Sequence, residues 1–100
     1  MRLKQRDIDA IKAAAASTFG ETATVRLFGS RVRDDLRGGD IDLIIEAEPS
    51  AEDAWRRVAA FKQNLFDRID EQKVDVVLLE RGGEVSAFAR MVARDAVPLP

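Results

Sequence analysis

Two aspartates open a run of branched apolar residues, Asp40-Ile41-Asp42-Leu43-Ile44-Ile45. Such a run predicts a strand over 40–45. Alternate side chains then share a face, so both acids project to one side while Ile41 and Leu43 go to the other. At strand rise the two α-carbons stand about 6.6 Å apart. Carboxylates leaning to roughly 4 Å repel by about 1 kcal/mol in water and about 4 kcal/mol near a protein surface. A cation between them removes that cost. Hard divalent ions take oxygen ligands, and Mg²⁺ typically uses one or two carboxylates plus substrate phosphates. The competing reading of an isolated acid pair is a solvated strand face with no chemistry.

Three neighbouring features favour the cation. Val25, Leu27 and Phe28 predict a strand over about 24–28, stopped by Gly29-Ser30, a turn whose bare backbone N–H groups can meet an anion. Arg31, Arg33 and Arg37 follow, so cations cluster beside the acids. A third acid, Asp75, interrupts the apolar run Val74 to Leu79, where strand propensity disfavours it. Three acids from two strands and a Gly-Ser turn point to metal-assisted phosphoryl or nucleotidyl transfer.

The set Gly29-Ser30, then Asp40-Ile41-Asp42, then Asp75 resembles the nucleotidyltransferase superfamily of DNA polymerase β, and in particular its minimal, single-domain members. The likeness runs from the first helix to Val97-Pro98-Leu99. Departures lie in the loop: Asp34 and Gly39 stand where many members have Gly and Ser, and the interval from Gly29 to Asp40 is one residue shorter than the commonest form. The resemblance implies a polymerase β-like α/β (α+β) fold, a small mixed sheet with helices packed on it. It implies two Mg²⁺ ions bridged by Asp40 and Asp42, with Asp75 on the first ion and placed to take the acceptor's proton. Gly29 and Ser30 would bind the NTP phosphates, with Arg31 and Arg33 as further nucleotide-binding candidates. Larger members carry a second domain for the acceptor; here a second copy or a partner is expected to supply that surface. Minimal members often act beside a small helical HEPN-domain protein, as the antitoxin of a toxin–antitoxin pair, and some attach AMP to a tyrosine of that partner. The expectation is therefore an adenylyltransferase using ATP. A contact-only binding module and an NTP sensor are the alternatives.

Composition narrows the classes further. One hundred residues, 46% hydrophobic and 34% charged, fit one soluble domain, 1–100. The absence of cysteine excludes disulfides and thiolate metal sites, and the absence of histidine excludes Ser-His and Cys-His catalysis. A formal charge of −2 argues against general nucleic-acid binding. No signal peptide or membrane span is visible, which gives a cytoplasmic expectation.

Helical spacing of Ile8, Ile11, Ala15 and Phe19 predicts a helix over 6–18, ended at Gly20. A short helix is expected over 30–35, its N-terminus facing phosphates. Ser50 to Asp53 reads as a capping box opening a helix to about residue 70, with Trp55, Val58, Phe61, Leu65 and Ile69 as its buried stripe and Arg57 off it. A strand over 74–79 follows, then a helix carrying Val85, Phe88, Ala89 and Val92. A short apolar tail, 96–100, is suited to a sheet edge.

Overall fold

The computed structural model describes residues 3–29 and 40–100. The expected short helix over 30–35, with Ser30, Arg31, Arg33 and Arg37, lies outside the described residues. Those described form three helices and four strands: α1 (Gln5–Phe19), β1 (Thr24–Phe28), β2 (Ile41–Ala47), α2 (Ala54–Phe66), β3 (Val74–Glu80), α3 (Ala87–Arg94) and β4 (Val97–Pro98). The fold is α+β, with a mixed sheet in the order β3-β2-β1-β4. Strand β1 runs antiparallel to β2 and to β4, whereas β2 and β3 are parallel. Parallel neighbours need a long crossover, and α2 supplies it.

The α1 helix follows from its alanine run and apolar spacing, and ends where Gly20 takes φ 101°. It packs with α2 on one side of the sheet. Ile8, Ile11, Ala14, Ala15 and Phe19 of α1 meet Phe61 and Leu65 of α2 over Leu27, Ile41, Leu43, Ile45, Ala47 and Val74. Phe19 and Phe61 stack at 5.8 Å between ring centroids. Leu99 joins this core from the tail, its N–H donating to the Val25 carbonyl at 3.3 Å.

The opposite side of the sheet is covered differently. Ile44 is fully buried yet stands apart from that core, because its neighbours Leu43 and Ile45 point the other way. The α3 helix is fastened on this side by Arg26, which donates to the Ala93 carbonyl at 3.3 Å and pairs with Glu46 at 2.9 Å. Ser86 caps α3, accepting from the Ala89 N–H at 3.1 Å. Ala89 is buried, but Phe88 and Met91 are 50% and 63% exposed.

The α2 region corrects three expectations. The helix begins after Asp53, not at Ser50, and Asp53 makes no side-chain cap bond; the Ser50 hydroxyl instead accepts from the Glu52 N–H, closing a local turn. It ends at Phe66, so Ile69 is buried from the turn beyond. Trp55 is 66% exposed, while Arg57 is buried. Helical phase gives the reason: at about 100° per residue, Arg57 lies roughly 40° from Phe61 and Trp55 roughly 120°. Arg57 tolerates the position by pairing with Glu80 at 3.3 Å and lying 5.2 Å from the centre of the Phe19 ring.

Candidate active site

The three acids reach the surface through the pairing of β2 with β3. The parallel register sets Ile41 against Val74 and Asp42 against Asp75. The ladder extends one step beyond β2, where the Ile41 N–H donates to the Lys73 carbonyl at 3.1 Å. At the same offset, Asp40 stands beside Lys73, and their side chains pair at 3.4 Å. Strand alternation thus gathers Asp40, Asp42, Lys73 and Asp75 on the sheet face away from α1 and α2. On the other flank, Phe28 of β1 is the register partner of Asp42.

Asp42 is the electrostatic centre of this group. It is half-buried, whereas Asp75 is exposed. Burial, first, pushes the Asp42 carboxyl above the ordinary carboxylate value; the charge of Asp75, a hydrogen bond between the two carboxyl groups and the charge of Asp40 push it the same way, and Lys73 pulls against them. A carboxyl held in this way gains from a nearby cation.

Gly29 bounds the group at the end of β1. Its φ of 80° favours glycine, and a Cβ built there would collide with Oδ2 of Asp42. The missing side chain brings the turn's backbone directly against the central carboxylate. Of the residues expected to bind nucleotide, Gly29 is therefore beside the acids, while Ser30, Arg31 and Arg33 lie outside the described residues.

The donor chemistry fits Mg²⁺ held by carboxylates together with phosphates and water. Every candidate ligand is an oxygen, two acids share one register position, and the neighbouring turn lacks a Cβ. Among the described residues no three acids close into a group that could hold a metal ion. A cavity of about 400 Å³ lies elsewhere, lined by Lys12, Ala15, Val25 and Leu99 between α1 and the sheet edge. It holds none of these acids and is mostly apolar in its lining. The open acid face is the better candidate on chemistry.

Sequence reasoning missed Lys73, which directly precedes the strand expected over 74–79. The signal was present: Lys73-Val74-Asp75 repeats the two-residue spacing of Asp40-Ile41-Asp42, so a parallel pairing through Val74 and Ile41 brings all four charged groups to one face.

Comparison with known proteins adds the family. A model of the nucleotidyltransferase domain matches residues 8–98. No curated protein matches the chain.

Proposed function

The chain belongs to the nucleotidyltransferase domain family, and from that premise we propose that Asp40, Asp42 and Asp75 are the site at which it transfers a nucleoside monophosphate from an NTP to a hydroxyl acceptor. The observation that carries the reading is the register pair of Asp42 and Asp75 beside Gly29. Asp40 and Asp42 would hold divalent cations, and Asp75, the most exposed of the strand acids, would meet the acceptor and take or orient its hydroxyl proton. Two Mg²⁺ ions held by these carboxylates would supply charge neutralisation at the triphosphate and a lower pKa at the acceptor hydroxyl. Gly29, with Ser30, would offer backbone donors to the phosphates, and Arg31 and Arg33 would steady them. Transfer releases pyrophosphate.

The finer proposal is AMP from ATP, delivered to a tyrosine of a HEPN-domain partner, with this chain as the antitoxin. It draws on the resemblance to minimal superfamily members. Phe88 and Met91, exposed on α3, support it by offering a partner an apolar surface. They equally support a second reading, in which contact alone neutralises the partner.

Asp42→Asn tests the site. With radiolabelled ATP and the partner as acceptor, label transfer should fall by about a thousandfold or more, roughly 4 kcal/mol of lost transition-state stabilisation. Unchanged transfer would remove these acids from the chemistry. Full neutralisation of the partner by the inactive variant would favour the contact-only reading.

A further inference from the structure

The carboxylate face contains its own cation. Lys73 stands two residues before Asp75, on the same strand face, and pairs with Asp40 at 3.4 Å. Its backbone is fixed, because its carbonyl accepts from the Ile41 N–H at 3.1 Å. Its side chain is 67% exposed, so the ammonium can leave Asp40 for solvent at small cost. A pair of this kind contributes little to stability. Its position gives it another consequence.

We propose that Lys73 is a positioning residue that occupies Asp40 until a divalent cation displaces it, and so sets the affinity of the acid face for that cation. The inference rests on the acid face being the site of transfer. A monovalent ammonium beside Asp40 removes part of the repulsion among the three acids while the site awaits its substrate. It also opposes a free divalent ion, because two positive charges must not compete for one carboxylate. An ion arriving with a triphosphate brings negative charge of its own, and an ammonium displaced from Asp40 remains close enough to interact with it. Lys73 thereby disfavours the bare ion relative to the ion–nucleotide complex. This discrimination needs no contact between Lys73 and the reacting atoms.

The experiment titrates Mn²⁺ into the full chain and follows the free ion by electron paramagnetic resonance, with no nucleotide present. Lys73→Met keeps the stem and removes the charge; it should bind Mn²⁺ about three- to tenfold more tightly than the wild type at low ionic strength. Lys73→Arg should behave as wild type, and the advantage of Lys73→Met should shrink as salt rises towards about 1 M. Thermal melts check that both variants fold. Equal or weaker Mn²⁺ binding by folded Lys73→Met overturns the inference. Asp42→Asn separates that failure from failure of the underlying site: Mn²⁺ binding that survives it, alone and combined with Lys73→Met, places the ion elsewhere and overturns both.

Discussion

On the helix-facing side of β2, Ile41, Leu43, Ile45 and Ala47 lose all contact with solvent; on the other side Ile44 does the same, while Asp42 and Glu46 stay partly open. The first side packs into a continuous apolar core with α1 and α2. The second carries one buried isoleucine between two charged groups, each with a different solution: Glu46 has Arg26, and Asp42 has mainly like charges around it. The contrast shows how packing on one face holds an unfavourable arrangement on the other. A one-residue slip of β2 would move Leu43 among the charges and Asp42 into the core. The cost of that exchange fixes the register, and the register fixes Asp42 against Asp75.

Breaking the packed face should have the largest effect on stability. Leu43→Ala removes a fully buried side chain from the sheet centre and should cost about 2–5 kcal/mol in urea unfolding. A loss below about 1 kcal/mol would show that this face does not anchor the strand. Altering the charged face should do the reverse. The folded-state pKa of Asp42 is raised, so the native state holds its proton more tightly than the unfolded state. The resulting penalty is fully present above the folded pKa and disappears as pH falls through it towards the unfolded value. Asp42→Asn should therefore stabilise the metal-free protein near neutral pH, by up to about 1 kcal/mol. Urea melts at successively lower pH should show that advantage shrinking; an advantage independent of pH would mean that ionisation is not its source. The smallest effect belongs to a residue on neither face. Trp55→Ala should change stability by no more than about 0.5 kcal/mol, against about 3–5 kcal/mol for a buried tryptophan, and the same melts decide between them.

The residues that misled and the residues that informed differ in kind. Trp55 reads as core because helical spacing sets it on one stripe with Val58 and Phe61, but it stands roughly 120° from Phe61 and turns outward, and Arg57 occupies the buried position with Glu80 as its partner. Steps of three residues drift by about 60° each, so Trp55, two steps from Phe61, falls off the buried arc. At the acid face Lys73 was not singled out, though its spacing from Asp75 matches that of Asp40 from Asp42. The strand positions of β1, β2 and β3 were legible because β-branched and apolar runs bounded by turn residues have few other ways to fold. The start of α2 was not, since Ser50 and Asp53 can each satisfy local backbone groups and their order does not say which opens the helix.

The sequence by itself determined that Asp40 and Asp42 share one face of the chain, that Asp75 interrupts another strand, and that Gly29 and Ser30 precede them. These are local consequences of backbone geometry and need no partner strand. Only the tertiary structure decided that β2 and β3 are parallel neighbours, that Asp42 falls opposite Asp75, and that Lys73 comes to Asp40. Those placements depend on burying one face of the sheet under two helices, a free energy summed over residues far apart in the chain, which no short stretch of sequence contains.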